Sequence, residues 1–155
     1  MIKTEDFKKW FGILFAETFG VSDSPHGYAL DDGKSGLLGT IDRIDARTAS
    51  TSLKPGGETI ASHCGHVHFI LRWFYSYGQG QPIEPDWAGS WSTQTVDTPA
   101  WDALRSELRA LYESVAGQVD GVQEWDETPL SASMILLTHC AYHVGEIKQI
   151  AASLP

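Results

Sequence analysis

The sequence predicts an all-α fold, an antiparallel four-helix bundle, and three observations lead there. Apolar residues recur at alternating three and four spacings in four stretches of about 17–25 residues, which gathers them on one face of each helix. Two of those stretches open on a Thr-Pro pair, Thr98-Pro99 and Thr128-Pro129, and proline suits a first helical turn because its missing N–H would have no partner there. No run alternates apolar and polar residues convincingly enough for a strand.

The first helix is expected over about 3–19, with Phe7, Trp10, Phe11, Leu14 and Thr18 on one side. Residues 20–35 are turn-rich, and 36–51 can hold a shorter extra helix through Leu37, Ile41 and Ile44. The break at 52–57, SLKPGG, precedes a second helix over about 58–78 that carries His63, His66, Ile70, Trp73 and Tyr77, flanked by Val67 and Phe74. Residues 79–97 form a long loop with two prolines and two tryptophans, and loops of that length usually cover something or contact a partner. The third helix has Thr98 as its expected N-cap and runs through Trp101, Leu104, Leu108, Leu111 and Val115. The fourth, about 129–153, lines up Leu130, Met134, Leu137, Ala141 and Val144, with Ile135, His139, His143, Ile147 and Ile150 beside them.

A chain of 155 residues suits one domain spanning 1–155, and 42% hydrophobic with 11% aromatic residues excludes intrinsic disorder. The net charge of −9 argues against a grip on nucleic-acid phosphates or anionic membranes. No apolar stretch approaches the roughly 18–20 residues of a membrane span, and no signal-like segment opens the chain, so a cytoplasmic protein is expected. Cys64 and Cys140 make neither a disulfide framework nor a CxxC site.

Several motifs fail. Gly33-Lys34-Ser35 lacks the glycine five residues earlier that a phosphate loop needs, since Tyr28 stands there. HExxH, Glu-x-x-His and G-x-S-x-G are all absent. The histidines remain. His139 and His143 are four apart on one helix, offset by about 40°, so one ion can bridge them. His63 and His66 fall on the apolar line of the second helix, where an imidazole loses hydration at both nitrogens and must find partners. A divalent ion shared by three neutral imidazoles meets that need. His68 points away from His66 and is expected at the surface or in a subunit contact; His26 lies in a turn.

The segments ETIASHCGHVHFILRW and LLTHCAYHVGEIKQI together resemble the DinB/YfiT-like superfamily of small bacterial bundle proteins. Their pattern is one histidine from the second helix and a His-x-x-x-His pair from the last, and HCAYHVGEI looks like their H-x-x-x-H-x-G-Q-I ending, with Glu146 in place of the more usual Gln. The resemblance implies a DinB/YfiT-like bundle with His66, His139 and His143 as ligands, His66 being favoured over His63 because it lies seven residues after Thr59.

Three protein ligands leave a coordination position open, as in catalytic sites, and imidazoles suit zinc, nickel or iron(II). Such an ion acidifies water or a thiol and polarises a carbonyl. The expectation is therefore a metal-dependent hydrolase, or a transferase using a low-molecular-weight thiol, acting on a small organic substrate. Glu146 is a candidate proton acceptor near the site, or else a solvated carboxylate paired with Lys148 or Arg72. His63 is a candidate fourth ligand, proton shuttle or hydrogen-bonded core residue. Tyr142 and Tyr77 could orient substrate or simply pack, and the loop around Trp87 and Trp91 could roof the site or seal the bundle. A homodimer is the expected assembly, and a non-catalytic dimeric binding module with a vestigial metal site is the competing reading.

Overall fold

Side-chain caps mark where several of the helices begin, among them the two that carry the clustered histidines. A computed structural model describes residues 3–154, and among them there are six α-helices and no strand: α1 (Thr4–Phe19), α2 (Leu37–Ile41), α3 (Ala46–Ala49), α4 (Ile60–Gly78), α5 (Thr98–Gly121) and α6 (Glu127–Ser153). Thr59 opens α4 with a reciprocal cap: its hydroxyl accepts the Ser62 N–H at 3.1 Å while the Ser62 hydroxyl accepts the Thr59 N–H at 2.9 Å. The other two caps differ from expectation. Asp97, not Thr98, caps α5 by accepting the Ala100 N–H, and Asp126 caps α6 by accepting the Thr128 N–H. An ionised carboxylate is the stronger acceptor and also favours the positive end of a helix. Each Thr-Pro pair therefore lies just inside its helix, where proline still removes no needed N–H.

The expected short helix within 36–51 is two shorter ones, α2 and α3, with Asp45 capping the second through the Thr48 N–H. On α1 the inner line is an aromatic ladder at four-residue spacing, Phe7, Phe11, Phe15 and Phe19, with successive ring centroids 6.2, 5.1 and 4.8 Å apart. Trp10, expected inside, is 45% exposed and meets Tyr28 edge-on. On α6 the buried line is Ser133, Leu136, Cys140, Val144, Ile147 and Ile150, whereas Leu130, Met134 and Ile135 are exposed. The helix is apolar around more than one face, so spacing alone does not say which stripe turns inward.

The four long helices are mutually packed in the manner of a bundle, α4 against α5 and α6, and α1 against the same two. Residue pairings give their directions. Lys8 Nζ reaches the Asp120 carbonyl while Phe15 stacks on Tyr112, so α1 and α5 run antiparallel. His66 faces His139 and His63 faces His143, so α4 and α6 do as well. His68 meets Glu107 and Gln79 meets Gln118, however, so α4 and α5 run parallel. That departure from strict antiparallel alternation explains the long 79–97 connection, because a chain leaving the end of α4 must return along its length before α5 can start.

It does so as a strap lying on α4. The Ile83 N–H donates to Ser76 Oγ, and Trp87 packs on Trp73 and Phe69. Trp91 then stacks on His66, and the Thr59 hydroxyl donates to the Gln94 carbonyl. The Val96 N–H donates to Ser50 Oγ, tying the strap's end to the residue after α3. Gly65 lets the strap come close, for a Cβ there would lie 3.0 Å from the side chain of Thr93.

The 20–35 segment is anchored by a buried carboxylate. Glu17, on α1, accepts the N–H groups of Tyr28, Ala29 and Leu30 at 2.8, 2.7 and 2.6 Å. Burial alone would raise its pKa, but those three donors hold it below the ordinary carboxylate range. Replacing it leaves three donors short of their acceptor. Glu17→Ala is expected to cost about 2–4 kcal/mol in urea denaturation. A loss under about 0.5 kcal/mol, typical of surface substitutions, would contradict this anchoring role.

Candidate metal centre

The antiparallel seam of α4 and α6 brings four histidines together. His66 and His143 are almost fully buried, and His139 is half-buried. One nitrogen from each lies within 4.8 Å of the other two, a grouping that could hold a metal ion. His139 Nε2 is 3.1 Å from both His66 Nε2 and His143 Nε2. Ligand nitrogens about 2.0–2.1 Å from one ion are separated by about 3.0–3.4 Å, so the donor set fits a single transition metal without a large rearrangement. Its chemistry fits too, since imidazole is a ligand suited to zinc, nickel and iron(II).

His63 is buried beside these three but takes no part in the cluster of Nε2 atoms. Its Nδ1 lies 3.0 Å from Nδ1 of His143, on the outer edge of that ring. The structure thus brings His66, not His63, into the grouping with His139 and His143. The remaining nitrogen of His66, Nδ1, is 2.7 Å from Ser90 Oγ.

Aromatic residues close the surroundings. Trp91 stacks on His66 at 4.2 Å with planes 16° apart, and presents its edge or face to His63 and His143. Tyr142 packs edge-on to His143 at 5.0 Å while remaining 61% exposed, so it borders the site from the solvent side. Tyr77 lies against Trp73 instead, toward the far end of α4. Trp87 stands on Phe69 and Trp73, so the strap covers the site with Ser90 and Trp91 and covers the adjoining helix with Trp87.

Glu146 lies on α6 one turn beyond His143, and its charge acts on His63. Among the described residues no ion pair joins it to Lys148 or Arg72; Lys148 instead approaches Asp31 at 3.6 Å. His68, expected at the surface or in a subunit contact, is half-buried against α5, where it meets Glu107 at 2.9 Å. Its neighbour on that helix face is therefore within the chain. Cys64 and Cys140 are fully buried, free, and pushed upward in pKa by burial, Cys140 to about 12. They are core residues, and neither belongs to the grouping that could hold a metal ion.

Ser90 escaped the sequence reading. A serine in AGSWS carries no motif, and only the length of the loop hinted that something in it mattered.

Burial keeps the histidines neutral. It lowers His66 to about 4 and His143 to about 3, with mutual repulsion among the imidazoles adding to the effect. His139 is lowered by burial, and His63 by burial against the opposing pull of Glu146 and Glu58. Neutral rings are the form that ligates a metal, and protons compete for them at a lower pH than for ordinary imidazoles near 6.5.

The chain matches no known family model, no curated protein and no solved structure.

A folded pKa below the unfolded value near 6.5 means that the unfolded chain takes up protons first as pH falls. The stability of the metal-free protein is then fully present above about 6.5 and is lost progressively toward 4. Urea denaturation between pH 7.5 and 5 is expected to show this decline, and His143→Gln is expected to make it shallower. Equal slopes for the two proteins would contradict the buried neutral state of His143.

Proposed function

We propose that the protein is a DinB/YfiT-like helical bundle and a metal-dependent enzyme acting on a small organic substrate, with His66, His139 and His143 as the ligands. The observation that carries this reading is the approach of three Nε2 atoms in a largely buried site, with His139 half-buried beside the exposed Tyr142. A buried cluster of three neutral imidazoles would otherwise hold lone pairs or unpaired N–H groups against one another. Zinc or nickel suits the donors best, with iron as the further candidate.

When bound, such an ion supplies an acidified water or thiol and a polarised carbonyl. The chain's own residues do the rest. The half-buried His139 and the exposed Tyr142 mark the direction from which a small molecule would enter. Trp91 excludes water from the opposite side by stacking on His66. Glu146, which makes no ion pair with Lys148 or Arg72 among the described residues, is the candidate to accept a proton released near His143. His63 holds the outer edge of His143, a position that suits proton transfer or orientation, and three ligands without it would leave a metal room for substrate. A water nucleophile makes the enzyme a hydrolase; a low-molecular-weight thiol makes it a transferase.

A second reading, a non-catalytic dimeric binding module with a vestigial metal site, draws on one observation. Trp10 on α1 and Leu130 and Met134 on α6 are exposed around a shallow apolar depression between those helices. A homodimer through that face is compatible with either reading. Among the described residues no helix is long and apolar enough to cross a membrane, and the acidic balance disfavours nucleic acid as a partner.

Elemental analysis of untagged protein is expected to find one transition-metal ion per chain. Changing His66, His139 or His143 to Ala is expected to weaken Zn²⁺ binding by more than ~100-fold, beyond the losses typical of supporting residues. A screen of thiol adducts, esters and amides should then find turnover that disappears in the same variants. A wild-type protein without metal at micromolar Zn²⁺ would overturn the enzyme reading and favour the binding module.

A further inference from the structure

We propose that Ser90 fixes the tautomer and ring orientation of His66, so that the strap, not the helices, sets the direction of one metal-binding lone pair. The proton inventory carries the argument. Ser90 Oγ lies 2.7 Å from the Trp87 carbonyl oxygen and 2.7 Å from His66 Nδ1. A hydroxyl has one proton and a carbonyl can only accept, so only one arrangement makes both contacts hydrogen bonds. Ser90 donates to Trp87, and His66 Nδ1–H donates to Ser90.

That places the proton of neutral His66 on Nδ1 and leaves the lone pair on Nε2, the atom 3.1 Å from His139 Nε2. An unrestrained neutral histidine favours the opposite form, with its proton on Nε2, which would put an N–H where a ligand lone pair is required. Ser90 is itself buried, and its backbone is held by the 3₁₀ turn Gly89–Trp91 and by the Gly89 N–H donating to Asp86 Oδ1. The next residue, Trp91, lies on the face of the same imidazole. Hydroxyl and indole therefore constrain the ring from its edge and its plane together. Ser90 touches neither substrate nor metal in this account; it is a positioning residue, and it acts through His66.

The consequence for metal binding rests on the proposed function, but the tautomer itself exists in the metal-free protein and can be read there. Long-range proton–nitrogen correlation on ¹⁵N-labelled, metal-free protein at pH 7.5 is expected to show His66 as the Nδ1–H form. Ser90→Ala is expected to move it toward Nε2–H and to weaken Zn²⁺ binding by ~10–100-fold, while Ser90→Thr, which retains the hydroxyl, stays near the wild type in both. Thermal melting of the metal-free variants checks that each is folded. An Nε2–H His66 in the wild type would overturn the proposal. So would a folded Ser90→Ala protein whose tautomer is unchanged, or whose Zn²⁺ affinity is within about twofold of wild type. Wild-type protein that takes up no Zn²⁺ would remove the metal reading alone, and the nitrogen spectrum would still decide the role of Ser90.

Discussion

The antiparallel seam of α4 and α6 sets His66 against His139 and His63 against His143, at nitrogen separations of 3.0–3.1 Å. A slip of one helical turn along that seam, ~5.4 Å, would separate both pairs. Register is held by the buried stripes on either side of the histidines, Ile60, Cys64, Val67 and Leu71 on α4, and Leu136, Cys140, Val144 and Ile147 on α6. These small and branched residues fill the core on either side of the imidazoles. The two cysteines, fully buried between the histidines of each helix, serve this packing.

Parallel packing of α4 and α5 adds a second layer to the site. It obliges the connection between them to travel back along α4, and that path carries Ser90 and Trp91 across His66. A short hairpin turn would have left the outer edge of His66 facing water. Topology thus supplies contacts that the helices alone do not: a hydroxyl at the imidazole edge and an indole on its face. His143 receives its own edge partner, His63, from within α4. The outer nitrogens of both buried candidate ligands are held by side chains from different sources, and the half-buried His139 remains on the side nearest solvent.

Much of this was legible from residue spacing. Three-and-four periodicity located all four long helices, and on α5 it also identified the inner face, where Trp101, Leu108 and Val115 are buried. The His-x-x-x-His spacing on α6 and the two histidines on the apolar line of α4 point to the cluster. Spacing is ambiguous where several faces of a helix are apolar. On α1 Phe7, Phe11 and Thr18 turn inward as the spacing predicts, but Trp10 is exposed and the inner line continues through Phe15 and Phe19; on α6 Met134 and Ile135 are left exposed. The aspartate caps are not legible either, because Thr-Pro is a helix-start signal that does not distinguish the cap from the first turn. Parallel packing of α4 and α5 has no local signature beyond the length of the loop, and the role of Ser90 depends wholly on where that loop is laid down.

The proposed chemistry depends on three imidazoles offering their Nε2 atoms to one cation. X-ray absorption at the metal edge of Zn²⁺-loaded protein tests this most directly. Three imidazole nitrogens at about 2.0–2.1 Å are expected, with the remaining coordination filled by a light atom from solvent. Sulfur at about 2.3 Å, or fewer than three imidazoles around the ion, would contradict it.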